Sequence, residues 1–293
     1  MLHPRAFKVT VVWTLFLLYV GSVVHATESS LACPDWPTCF GTMVPEMTGG
    51  VFWEHLHRLI AGGLVLMFML ATWLARKETQ HRPWILRACV AGLVLLVVQS
   101  VFGGLTVIYQ LPDMVSTTHL SLAFVFLALA TVLAAATAQP AASGEDFGPG
   151  VGRRLSILAA IGAGVVFLQS ALGALVRHTE AGMACPDIPL CLGRVVPPLV
   201  NLQITAHFTH RVLAIITLLL VLYLVGWAYR AEVPASLRKR LAAAAFLVVA
   251  QVVLGVASVL MVLAVAPVSL HTLFAAALLS VLVWIATVSR QER

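Results

Sequence analysis

Long apolar runs alternate with short polar stretches along the whole chain. Runs able to span a bilayer lie at about 10–26, 52–74, 86–109, 115–137, 155–177, 204–229, 240–264 and 266–288, each near the roughly 20 residues a hydrocarbon core requires. None alternates like a barrel strand, and a backbone inside lipid must satisfy its own hydrogen bonds, so eight transmembrane helices are expected. Pro267 is expected to divide the last two runs as a helix hairpin. Arg5 and Lys8 ahead of an apolar stretch ending Val24-His25-Ala26 look like a cleaved leader. The counterpart of this run at 155–177 is mid-chain, where no leader can act, so the first run is read as a retained helix.

Composition agrees with an all-α polytopic membrane protein: 60% of the 293 residues are hydrophobic and only 10% charged. The basic residues set the orientation. Arg5, Lys8, Arg76, Lys77, Arg82, Arg87, Arg153, Arg154, Arg230, Arg238, Lys239, Arg240, Arg290 and Arg293 fall on one side of an eight-helix layout, against Arg177 and Arg194 on the other. Both termini are therefore expected in the cytoplasm. The net charge of +6 reads as a topology signal, with nothing to support nucleic acid as a partner.

A repeat runs through the chain. CPDWPTCFG, from Cys33 to Gly41, returns as CPDIPLCLG, from Cys185 to Gly193; Gln99 with Gly103 returns as Gln251 with Gly255, and His119 as His271. Helix openings Glu54-His55-Leu56-His57-Arg58 and His207-Phe208-Thr209-His210-Arg211 follow the two loops. The expected organisation is two pseudo-symmetric four-helix bundles, 1–137 and 153–293, joined by a Pro/Gly-rich cytoplasmic linker at 138–152. An even helix count per unit makes the repeat parallel.

This layout puts His57, His119, His210 and His271 near the outer ends of their helices, one pair per unit. Two neutral imidazoles from neighbouring helices, in a cavity lined by glycine and apolar residues, are what six-coordinate haem iron needs. Gly103, Gly104, Gly173 and Gly255 would admit a macrocycle or another helix, and Arg58 and Arg211 could neutralise propionates. The plain alternatives are histidines that cap helices or bind interfacial water, and arginines that snorkel. His25, His55, His178 and His207 carry a weaker case, and His81 reads as a loop residue.

Glu54 breaks the symmetry. Its counterpart is His207, so only the first unit has a carboxylate one turn before its histidine, able to act as a general base or to stabilise developing positive charge. The alternative is a Glu54–Arg58 ion pair at spacing four. The second unit then looks like an electron-holding site. Cys33 with Cys39, and Cys185 with Cys191, suggest a disulfide-closed loop in each unit on an oxidising face. Such a loop is a structural staple or a redox-active pair, with zinc the weaker reading. Cys89 stands alone.

Together the CPDWPxC loop, the Glu-x-x-His-Arg helix start, the Gln-x-x-x-Gly helices and the later histidines resemble haem A synthase over essentially the whole chain. That resemblance implies a bacterial cytoplasmic (inner) membrane enzyme that oxidises the C8 methyl of haem O to the formyl of haem A, with water as oxygen source. It implies a catalytic first site of Glu54, His57 and His119, and a haem b cofactor on His210 and His271; Arg58 and Arg211 remain candidates beside these from their own positions. A Cys33–Cys39 disulfide would assist the reaction or the electron path. Haem O synthase, a quinone or thiol-redox electron acceptor, membrane lipid and a second copy of the chain are the partners it suggests. A di-haem cytochrome b, a haem transporter or chaperone, and a thiol oxidase dependent on Cys33 and Cys39 are the alternatives.

Overall fold

The computed structural model describes residues 2–77, 82–138 and 150–290. His81 and most of the 138–152 linker lie outside the described residues. The described chain is helical, with α1 His3–Ala26, α2 Gly49–Leu74, α3 Pro83–Ile108, α4 Asp113–Ala138, α5 Val151–His178, α6 Leu202–Arg230, α7 Ala235–Leu260 and α8 Val265–Arg290. All eight are long and apolar enough to cross a membrane, and the protein is a multi-pass membrane protein.

Most helices begin before the apolar runs do, because residues that cannot lie in hydrocarbon can still be helical at its edge. Pro4 and Pro83 fit the first turn of α1 and α3, where no intrahelical N–H is required. Asn201 caps α6 by accepting from the Ile204 amide at 2.8 Å. The last hairpin is placed differently from the expectation. The chain turns at Met261–Ala264, with Val262 and Leu263 at positive φ, and Pro267 sits inside the first turn of α8. Proline is tolerated there for the same reason it starts α1 and α3.

α4 and α8 occupy the centre. Each packs against four helices: α4 on α1, α3, α5 and α8, and α8 on α1, α4, α5 and α7. Ala130, Ala134, Ala135 and Ala136 of α4 are buried, small enough to let neighbouring backbones approach closely. Thr131 and Thr137 turn their hydroxyls back onto the Leu127 and Leu133 carbonyls, each at 2.7 Å, so no polar atom of theirs is left to lipid. One apolar cluster joins α1 to α4 and another reaches from α4 through α5–α8.

At the end of the helices away from the cysteine loops, cations lie over tryptophans: Arg76 over Trp73 at 4.1 Å, Arg240 over Trp284 at 4.4 Å and Arg154 over Trp227 at 4.9 Å. Aromatic rings paired with basic residues are typical of a membrane–water boundary.

Candidate functional site

The two CPD loops are closed by disulfides, Cys33–Cys39 and Cys185–Cys191, and each is pinned by its aspartate. The Asp35 carboxylate accepts from the Thr38 hydroxyl and from the amides of Phe40 and Gly41, at 2.6 and 2.9 Å. Those bonds, the Thr38 hydroxyl foremost, hold its carboxyl below the usual carboxylate range. Asp187 accepts from the Gly193 amide at 2.5 Å. Both aspartates hold a left-handed pair, Phe40-Gly41 or Leu192-Gly193, a conformation costly for a bulky residue without such support. The side chain of Trp36 lies against Gly104 of α3, where an added Cβ would stand 2.7 Å from the indole.

The two arginines grip these loops from below. Arg58 Nη1 donates to the carbonyls of Asp35 at 2.8 Å and Thr38 at 2.5 Å, while Nη2 donates to Glu54 Oε1 at 2.6 Å. Arg211 Nη1 donates to the Asp187 and Leu190 carbonyls, both at 2.8 Å, and Nη2 to the Cys185 carbonyl. The planar fork of arginine suits several fixed carbonyls at once. The Glu54–Arg58 ion pair is thus present, and these guanidinium donors face the loops.

Glu54 is buried, and its second oxygen, Oε2, accepts the backbone N–H of Cys33 at 2.7 Å. In the other half the equivalent side chain, His207, bonds the Ala181 carbonyl through Nδ1 at 2.8 Å, and Arg211 reaches the cysteine carbonyl directly. The carboxylate is therefore an insertion into an otherwise repeated clamp.

His57, His119, His210 and His271 are each half-buried, with Nδ1 enclosed and without a hydrogen-bond partner. None caps a helix. Each ring rests on a glycine of a neighbouring helix. An added Cβ would stand 2.9 Å from His57 Cε1 at Gly21, 3.0 Å from His119 at Gly103, 2.9 Å from His210 at Gly173 and 3.3 Å from His271 at Gly255. The space beside Gly103, Gly173 and Gly255 is taken by the imidazole of a neighbouring helix, and that beside Gly104 by Trp36, so of the two expected uses of these glycines the structure has the close approach of another helix at the first three. The ring centres of His210 and His271 are 6.4 Å apart.

Sequence reasoning missed Gly21 and Gln169. Gly21 lies 152 residues before Gly173, so the repeat carried its signal; Gln169 stands four residues before Gly173, as Gln99 does before Gly103. Of the weaker histidines, His55 is buried with Nδ1 unpartnered. His25 and His178 meet each other, ring centres 5.0 Å apart, with Arg177 Nη2 3.3 Å from His25 Nδ1.

A family model described as cytochrome oxidase assembly protein, COX15-CtaA, matches residues 46–283. Proteins named heme A synthase are similar over most of their length. That of Symbiobacterium thermophilum is 33% identical over 260 residues, covering 84% of this chain and 81% of the relative. That of Shouchella clausii is 31% identical over 86% and 85% of the two chains, and that of Shewanella oneidensis 28% identical over 87% and 86%. With that much of its length matched, the chain belongs to the COX15-CtaA family of cytochrome oxidase assembly proteins.

Proposed function

We propose that this protein is a haem A synthase that oxidises the C8 methyl of haem O to a formyl group, in a first unit at 1–137, beside a haem b cofactor in a second unit at 153–293. The observation that carries the reading is the buried Glu54 carboxylate, one helical turn from His57 and without an acidic counterpart in the other half. An electron-transfer protein with two equivalent haems has no use for that difference, whereas a site that reacts needs it.

The histidines fit haem. His210 of α6 and His271 of α8 bring two imidazoles within 6.4 Å of each other, ring centre to ring centre, each with a buried Nδ1 that has no protein partner, while the Gln169 amide lies 3.4 Å from His210 Nε2. Two such imidazoles could serve one iron as nitrogen donors. His210 and His271 would hold haem b, which supplies one-electron redox chemistry when bound. His57 and His119 would hold the substrate.

Converting a methyl to a formyl with water as oxygen source releases four electrons and four protons. Glu54, as a carboxylate, would stabilise positive charge growing at the methyl and take a proton from the attacking water. Arg58 keeps that carboxylate aimed, and the Cys33 amide fixes its second oxygen. Electrons would leave through the second unit to a quinone or a thiol-redox protein. The basic, tryptophan-lined end supports both termini in the cytoplasm of a bacterial inner membrane, with the cysteine loops and both sites toward the outer face.

The test is mass spectrometry of haems extracted from cells making this protein with a haem O supply. Haem A, or its hydroxylated precursor, is expected with the native chain and not with Glu54→Gln, which should still bind haem. Unconsumed haem O beside a folded, haem b-loaded protein would refute the assignment.

A further inference from the structure

The carboxylates of a haem call for cationic partners, and Arg58 and Arg211 commit their Nη donors to loop carbonyls and to Glu54. A third arginine lies at the same end of the helices. Arg177, on the last turn of α5, places Nη2 3.3 Å from Nδ1 of His25 on the last turn of α1. An arginine only donates, so His25 accepts on Nδ1 and, as a neutral ring, carries its proton on Nε2. His178 stands beside His25, ring centres 5.0 Å apart, and its Nδ1 lies 3.3 Å from the Thr117 hydroxyl of α4.

This group is cationic, half-buried and short of an acid. Glu28 and Glu180 act on it from a distance, yet among the described residues Arg177 has no carboxylate at ion-pair distance. A guanidinium drawn partly out of water at the end of a membrane helix needs an anion. Its place says which one. His25 stands four residues after Gly21, which seats His57, and Arg177 four residues after Gly173, which seats His210. A rise of about 6 Å thus separates each from a ligand seat, on the side of the cysteine loops. Thr117 stands two residues before His119. His25 and Thr117 therefore border the first pair of histidines, and Arg177 and His178 reach them from the other half of the chain.

We infer that Arg177, with His25 and His178, binds a propionate carboxylate of the haem held by His57 and His119, so that the half carrying the cofactor completes the substrate site of the other. The inference rests on the haem reading above and deepens it. Haem is an apolar plate with its carboxylates along one edge, and the walls share that division, with glycine seats and apolar residues along the helices and a cationic group at one end. A guanidinium takes a carboxylate through parallel N–H bonds, and His25 can add a donor. The C8 methyl neighbours one propionate on the ring, so fixing that carboxylate also fixes the carbon that reacts.

The experiment titrates the detergent-solubilised full-length protein with iron protoporphyrin, or with its dimethyl ester, which lacks the carboxylates, and follows the Soret band. His271→Ala and His57→Ala each leave one site to be read. In the His271→Ala chain the acid is expected to bind at least about tenfold more tightly than the ester, the scale of a hydrogen bond to a charged group. Adding Arg177→Met should remove that preference and leave ester binding unchanged, while Arg177→Lys, the milder change, should keep part of it. In the His57→Ala chain Arg177→Met should have no effect. A first site indifferent to esterification, a comparison that leaves the cluster unaltered, overturns the inference. So does Arg177→Met weakening acid and ester alike, which is a structural role, or acting only in the His57→Ala chain, which gives the carboxylate to the other haem. Acid binding untouched by Arg177→Met overturns it too, and leaves the arginine to lipid phosphate. A folded native chain without low-spin bis-imidazole spectra overturns the haem reading itself.

Discussion

The backbone amide of Cys33 donates to Oε2 of Glu54 at 2.7 Å, so the first disulfide loop and the buried carboxylate move together. Opening that loop should displace the carboxylate. Cys33→Ser combined with Cys39→Ser is expected to lower haem A formation on the order of 10²-fold, the scale set by small misplacements of a catalytic group. Cys185→Ser with Cys191→Ser should spare most of the product, because His207 rather than an acid stands at the equivalent position. Haem analysis of membranes from the two variants checks the contrast.

The arginine clamps predict a difference between charge and shape. Arg211→Lys keeps the positive charge but cannot reach the carbonyls of Cys185, Asp187 and Leu190 together. The second loop should lose about 2 kcal/mol of local stability. Faster trapping of Cys185 and Cys191 by a thiol reagent under mild reduction is the expected reading, with the first loop unaffected.

Glycine seats should differ in their tolerance of a methyl group. Gly173→Ala places a Cβ 2.9 Å from the His210 ring, whereas Gly255→Ala leaves 3.3 Å to His271. The first should strip most haem from the second site and the second should leave most of it bound, measured as haem per protein in pyridine. Equal losses would mean that the rings are not held by these glycines.

Asp35 gives the outer loop an acid limit. Its carboxyl is held below the usual range by the Thr38 hydroxyl and by the Gly41 and Phe40 amides, so its contribution to loop order is complete above the ordinary carboxylate pKa. It is lost as pH falls through the lowered folded value. Hydrogen exchange at the Phe40 and Gly41 amides should therefore rise at strongly acid pH in the native chain, and should be fast and nearly pH-independent in origin for Asp35→Ala, once intrinsic exchange is corrected for.

The helices were legible because bilayer thickness fixes how long an apolar run must be, and the four histidines because polar groups repeated at matching places in such runs stand out. The last turn was misjudged because proline breaks a helix only beyond its first turn, and Pro267 falls within it. The arginines could be located, and spacing four left the Glu54–Arg58 pair open as an alternative, but their partners in the loops could not be read. Arg58 and Arg211 bond backbone carbonyls of the loops, and the direction of a loop carbonyl is set by backbone dihedrals that residue types alone do not dictate. Gly21 was hidden for another reason: with Leu17 before it, the first helix lacks the glutamine that marks the other seats.

The first helix packs on the last. Ser22 Oγ donates to Thr272 Oγ1 at 3.2 Å across 250 positions of sequence, and α1 supplies the seat of His57 while leaning on α8. During synthesis α1 therefore waits for a neighbour that is made only after the six helices between them. A chain without α8 should be left with an unsupported α1, and so with a weakened seat for His57.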